Sequence, residues 1–278
     1  MRKIHTDKIT DLVEKLCVQA NVVLPQEMKD AFAACKKAER SPLGREIFDK
    51  MEENYRIAEE RGMPVCQDTG MAVVFVELGQ EVCLEGAAFE DAVNEGVRRG
   101  YVNGYLRLSV VRDPLDRVNT NDNTPAVIHT RIVPGDKIRI TVAPKGFGSE
   151  NMSAMKMFTP AAVPDDIVDF IVSSVETAGS NPCPPVVVGV GLGGTIEMAA
   201  LCAKKALMRE DGPVNEFYAG LEADALRRIN ALGIGPQGLG GTVTALKVNI
   251  LPYPTHIAGL PCVVNMGCHI TRHAAGEI

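Results

Sequence analysis

Cys66-Gln67-Asp68-Thr69-Gly70 sets a thiol, an amide and a carboxylate in three consecutive residues ahead of a glycine. Such a run suits a turn that faces a ligand; the plainer reading is that Asp68 caps the turn and Cys66 is incidental. Cys183 stands in Asn181-Pro182-Cys183-Pro184-Pro185. Prolines on both sides remove backbone donors and fix the chain, so this thiol is held in place. Cys268 follows Gly267 among polar neighbours, whereas Cys262 lies in an apolar stretch and reads as core. Three loop cysteines flanked by Gln, Asp, Pro and Gly point to an iron–sulfur cluster held by three thiolates. Cubane clusters usually take four. A site with three leaves one iron open to bind a substrate hydroxyl as a Lewis acid, which is hydro-lyase chemistry rather than electron transfer.

Other constellations compete. Gly189-Val-Gly191-Leu-Gly193-Gly194 matches the dinucleotide fingerprint, which makes a nicotinamide oxidoreductase one alternative. The context opposes it, because Met208-Arg-Glu-Asp-Gly-Pro leads into another helical pattern instead of the strand that should hold the ribose. His269 and His273 are four apart and would make a zinc site with Cys268 if that end were helical, though without a fourth ligand. A non-catalytic iron–sulfur or zinc sensor is the remaining class. Arg107 and Lys145-Gly146-Phe147-Gly148-Ser149-Glu150 are reasonable anion contacts, or simply a surface arginine and a hairpin exit.

The elements that must carry these loops read as α+β: a helical N-terminal region (1–62), then mixed, largely antiparallel sheets packed with helices (63–278), in a single domain. Apolar residues at three- and four-residue spacing predict a helix over 6–20, a second over 25–40, and a third from Ser41-Pro42 to Gly62. Further helices are expected over 87–99, 164–178, 195–209 and 216–232, with strands over 71–78, 186–188 and 243–250. Residues 126–133 and 138–143, joined by Pro134-Gly135-Asp136, predict a hairpin. Residues 233–241 hold five glycines and must be a loop.

Composition narrows the class. The net charge of −6 over 278 residues offers no footprint for nucleic acid or an anionic membrane. With no Trp and 5% aromatics, a base-stacking surface is not expected. No apolar run reaches the ~18 residues of a membrane span, and no signal-peptide block opens the chain, so a cytoplasmic protein is expected. Its eight cysteines, none spaced C-x-x-C, are then thiols or metal ligands rather than disulfides or zinc ribbons.

In the order of its motifs the sequence resembles the α subunit of two-subunit class I fumarate hydratases, a family that includes L-tartrate dehydratase α subunits. The resemblance rests on Cys66 to Gly70, Leu106-Arg107, Lys145 to Ser149, Cys183-Pro184-Pro185 with Gly189 to Thr195, and Cys268 with Thr271-Arg272-His273. It implies a [4Fe-4S] cluster on Cys66, Cys183 and Cys268. It puts Gln67 and Asp68 at the substrate, Arg107 on a substrate carboxylate, and a backbone N–H near Gly148 on the substrate. Phe147, where the family often has glycine, leaves open which amide that is. His256 matches an active-site histidine; Asp68 either moves a proton or orients the hydroxyl, and His256 either assists or binds a carboxylate. The expected reaction is dehydration of (S)-malate to fumarate, with L-tartrate as the alternative substrate. The resemblance also implies a separate β subunit in an α2β2 assembly, carrying further arginines, a lysine and a candidate threonine base. The chain alone is then expected to be nearly inactive.

Overall fold

Ile9, Val13, Leu16, Cys17 and Ala20 recur on one side of α1 (Asp7–Val22) and are buried there, as the spacing predicts. They lie in a computed structural model that describes residues 1–278 and divides into two units. Unit 1 comprises Met1–Pro25, Asn54–Phe147 and Arg272–Ile278; unit 2 comprises Gln26–Glu53 and Gly148–Thr271.

In unit 1, α1 packs on α4 (Phe89–Asn103) over a four-stranded sheet of order β10-β5-β2-β4. Its strands are β2 (Met71–Gly79), β4 (Val127–Val133), β5 (Ile138–Lys145) and β10 (Ala274–Glu277). Alternate residues Ala72, Val74 and Val76 of β2 and Ile138, Ile140 and Val142 of β5 share one core with Val13, Leu16, Val93, Val97 and Tyr101. A short parallel pair, β1 (Arg2–His5) with β3 (Val82–Glu85), completes the unit. The expected hairpin of 126–133 with 138–143 is not formed. β2 lies between them, parallel to β4 and antiparallel to β5. The most continuously apolar strand takes the centre, where both its edges are paired, and displaces the sequence-adjacent pairing.

Unit 2 is built on a sheet of order β6-β9-β7-β8, formed by β6 (Ala154–Phe158), β7 (Val186–Gly193), β8 (Ala245–Tyr253) and β9 (Leu260–Gly267). β7 runs parallel to β8 and antiparallel to β9. Val186, Val188 and Val190 share a core with Ile171 and Val175 of α6 (Pro164–Ala178) and Ala225 and Ile229 of α8 (Glu216–Ala231). Ala199 and Ala203 of α7 (Ile196–Ala206) pack against Val263 of β9. Gly191 explains the glycine run: a Cβ there would stand 1.8 Å from the Ala199 carbonyl oxygen, so its absence lets α7 lie on the sheet. The chain leaves α7 for α8, not for a strand, in keeping with the weak nucleotide reading. Two further helices, α2 (Gln26–Ala38) and α3 (Pro42–Arg61), follow α1 as expected, and α3 continues into unit 1.

Buried Glu39 closes the end of α2 against the 242–243 segment. It accepts N–H groups from Ser41 (2.8 Å), Thr242 (2.9 Å) and Val243 (2.9 Å), and the Thr242 hydroxyl (3.1 Å). Burial works to raise its pKa, but those hydrogen bonds outweigh it and the carboxyl titrates below its ordinary range. A lowered folded-state pKa contributes stability that is complete above the unfolded value and lost as pH falls through the folded one. Glu39→Gln should therefore destabilise the chain by about 1–3 kcal/mol near neutrality and flatten the acid limb of its stability–pH curve, as read by denaturant unfolding. Gly191→Ala should cost about 3 kcal/mol in the same measurement, because α7 must lift from the sheet.

Candidate functional site

The Cys66–Gly70 turn in unit 1 is held through three successive carbonyls, each taken by a buried side chain. Arg272 donates to Asp68 O at 2.7 Å, Tyr101 to Thr69 O at 2.8 Å, and Asn123 to Gly70 O at 3.1 Å. Arg272 is itself fixed by Asn21 Oδ1, at 3.2 Å from Nε and 3.1 Å from Nη2. Gly70 has φ +74°, and a Cβ on it would lie 2.7 Å from the Lys145 backbone, so only glycine lets the turn sit against the end of β5.

With its backbone anchored from below, the turn presents its side chains outward. Asp68 Oδ1 accepts the Gly70 N–H at 3.0 Å and Oδ2 the Phe147 N–H at 3.0 Å, which fixes the plane of the carboxylate. Cys66 Sγ accepts the Asp68 N–H at 3.4 Å, and Gln67 is exposed. The Thr69 hydroxyl accepts the Arg107 N–H at 2.9 Å and donates to Arg107 O at 3.2 Å. Arg107 is exposed and its guanidinium makes no hydrogen bond or ion pair within the chain. Unit 1 therefore brings together Cys66, Gln67, Asp68 and Arg107.

In unit 2 the register Val187↔Gly267 sets the start of β7 beside the end of β9. That places the Cys183 and Cys268 loops at one end of the sheet. His269 joins them, its N–H donating to Cys183 O at 3.2 Å and its Nδ1 lying 3.0 Å from the same oxygen. Cys183 is exposed, with φ +56°, a left-handed backbone uncommon for a side chain of this kind. Cys268 is half-buried, and its carbonyl accepts both the N–H (3.0 Å) and hydroxyl (2.8 Å) of Thr271. Gly148 is exposed against the Cys183 loop: the Asn181 carbonyl oxygen lies 3.7 Å from where its Cβ would stand.

Two expectations meet a different geometry. Residues 269–270 are turn and 271–273 irregular chain, so His269 and His273 share no helical face and the zinc constellation with Cys268 does not form. His256 lies in the turn between β8 and β9, beyond the Gly193↔Tyr253 pair. Cys183 and Cys268 lie at the other end of the eight-residue β7, roughly 23 Å away at ~3.3 Å per residue.

Four of the eight cysteines are shielded by burial. Burial pushes Cys17 and Cys262 up to about 12 and Cys35 to about 11, and raises Cys202. Such thiols stay protonated and are poor ligands, since the thiolate is what binds iron. Cys66 of unit 1 and Cys183 and Cys268 of unit 2 each stand on a loop, half-buried or exposed, and cysteine thiolates are the donors an iron–sulfur cluster takes. The sequence alone does not single out Tyr101 and Asn123. The Asn119-Thr-Asn121-Asp-Asn123-Thr-Pro125 run was the available signal for the second, since Asn favours left-handed turns. Tyr101→Phe should leave the Thr69 carbonyl unsatisfied and cost about 1–2 kcal/mol in denaturant unfolding, with the far-UV spectrum unchanged.

Compared with known proteins, residues 10–277 match the family described as Fumarate hydratase (Fumerase). A Methanocaldococcus jannaschii protein named putative L(+)-tartrate dehydratase subunit alpha is 39% identical over 279 residues, covering 98% of each chain. The L(+)-tartrate dehydratase subunit alpha of Escherichia coli K12 is 32% identical over 272 residues, covering 96% of this chain and 89% of its own. The protein of the same name from Shigella sonnei aligns with the same identity and coverage.

Proposed function

This chain belongs to the fumarate hydratase (Fumerase) family, and we propose that it is the α subunit of an iron–sulfur hydro-lyase that dehydrates L(+)-tartrate. The observation that carries the substrate is the end-to-end similarity to chains named tartrate dehydratase subunit alpha, which favours tartrate over the malate-to-fumarate reaction placed first from the sequence. Both are four-carbon 2-hydroxy dicarboxylates, so the same groups serve either.

The proposed ligand set is Cys66, Cys183 and Cys268, holding a [4Fe-4S] cluster. When bound, a cluster with one iron free of thiolate supplies Lewis acidity toward the leaving hydroxyl. The chain's own residues bind and orient the acid. Arg107, whose guanidinium has no internal partner, takes one substrate carboxylate in a paired hydrogen bond. The exposed Gln67 amide and the backbone N–H at Gly148 are assigned to the remaining substrate oxygens. Asp68, with its carboxylate plane fixed by two backbone N–H groups, is assigned to proton transfer or to orienting the hydroxyl. His256, at the far end of the sheet from Cys183 and Cys268, is assigned no step at the cysteine end of its own chain. The relatives' names support a β subunit as partner, and α2β2 is the proposed assembly. No helix is long and apolar enough to cross a membrane; a cytoplasmic location remains the proposal.

Anaerobic assay of the chain with its β subunit should give kcat/KM for L(+)-tartrate roughly tenfold or more above that for (S)-malate, since a site that hydrogen-bonds the second hydroxyl discriminates against an acid lacking it. Equal or faster turnover of malate would return the reading to fumarate. The lone chain should be nearly inactive. After reconstitution, Cys66→Ser, Cys183→Ser and Cys268→Ser should each lose iron and visible absorbance, whereas Cys17→Ser and Cys262→Ser should retain both.

A further inference from the structure

We propose that Asn123 is the positioning residue for the carboxylate contact at Arg107, locking the Arg107 segment to the Cys66–Gly70 turn through its side-chain amide. The proposal rests on the reading of Arg107 given above.

Residues 104–126, between α4 and β4, contain no helix or strand beyond an isolated bridge between Val111 and Asn119. Loops of this length without regular secondary structure are uncommon in compact domains and often serve a function. The segment folds back on itself: Arg112 N–H donates to Val118 O at 2.9 Å, Thr120 N–H to Val110 O at 3.0 Å, and Asn119 Nδ2 to Leu108 O at 2.8 Å. Asn123 sits at its base, wholly buried (0% exposed). Its Oδ1 accepts the N–H groups of Ser109 (2.7 Å) and Val110 (3.2 Å), and its Nδ2 donates to Gly70 O.

Because the Arg107 guanidinium has no partner of its own, its place is set only by its backbone. Thr69 ties that backbone at residue 107, and Asn123 ties it two and three residues on. Both ties lead to the same turn that carries Gln67 and Asp68. Asn123 has φ +62°, a conformation that glycine, asparagine and aspartate tolerate best. Among these, only asparagine offers both an acceptor for two N–H groups and a donor for the carbonyl. Asp would keep the acceptor half and set a carboxylate against Gly70 O; Gly would keep the backbone and lose both halves.

The test uses the assembled two-subunit enzyme for kinetics and amide hydrogen exchange of the chain for structure. Arg107→Ala should raise KM for the dicarboxylate about tenfold or more. Asn123→Gly should raise KM by a similar factor with kcat changed less than about threefold, and the double variant should be no worse than Arg107→Ala alone. The Ser109 and Val110 amides should exchange at least about tenfold faster in Asn123→Gly and stay protected in Asn123→Asp, which should show an intermediate KM. An unchanged KM in Arg107→Ala would overturn the reading of Arg107 and the role of Asn123 with it. A raised KM in Arg107→Ala with an unchanged KM in Asn123→Gly would overturn the Asn123 proposal alone. So would KM factors that multiply in the double variant, or unaltered exchange. If Asn123→Gly fails to assemble, Asn123→Asp decides: a wild-type KM there would overturn the tie to Gly70.

Discussion

Unit 1 depends on one constraint, the fixing of the Asp68, Thr69 and Gly70 carbonyls by Arg272, Tyr101 and Asn123. A buried carbonyl left without a donor is costly, so these three side chains satisfy the turn and at the same time determine its shape. They come from the last strand's approach, a central helix and the end of a long loop. The turn therefore has its conformation only once segments 204, 32 and 53 residues away along the chain have packed. With the backbone polar groups spent below, the side chains of Gln67 and Asp68 are left for a ligand. That is how a five-residue loop is given the precision expected of a rigid element.

Unit 2 reaches a similar end by sheet register. Antiparallel pairing of β7 with β9 brings two loops 85 residues apart in sequence to the same edge, and His269 ties their backbones at the Cys183 carbonyl. Gly191 has its part on the face of that sheet, where a missing Cβ lets α7 approach. The glycine run that resembles a nucleotide fingerprint is thus accounted for by packing, a reminder that close helix–strand approach and phosphate binding draw on the same residue for the same steric reason.

The helices were legible because each carries its own periodicity: α6 was read to the residue, and α1, α3 and α8 to within two or three. The strands were less so. The hairpin of 126–133 with 138–143 was inferred from a local turn signal, whereas the pairing is decided by which strand buries most apolar surface, a property of the whole sheet. β9 is absent from the expected strands although Cys262 within it reads as core, and β10 is absent because Ala274-Ala-Gly-Glu has no strand propensity and is held by its pairing with β5. At the candidate site, the residues that face outward were named from their types and from the family resemblance. Tyr101 and Asn123, which face inward and hold the turn, were not, because nothing in a single sequence marks a buried amide as the one that meets a given carbonyl.

The exposure of Arg107 and Gln67 bears on how such groups can work. An arginine in open water gains little from a carboxylate, about 0–1 kcal/mol, because both partners are already well solvated. Polarising a carbon–oxygen bond and removing a weakly acidic proton call for fixed dipoles in a site from which bulk water is excluded. In unit 1 the backbones that carry Gln67 and Arg107 are tied from behind while both side chains are exposed, so the unit orients them without covering them. In the proposed enzyme, the Arg107 contact gains strength as the water around it is displaced.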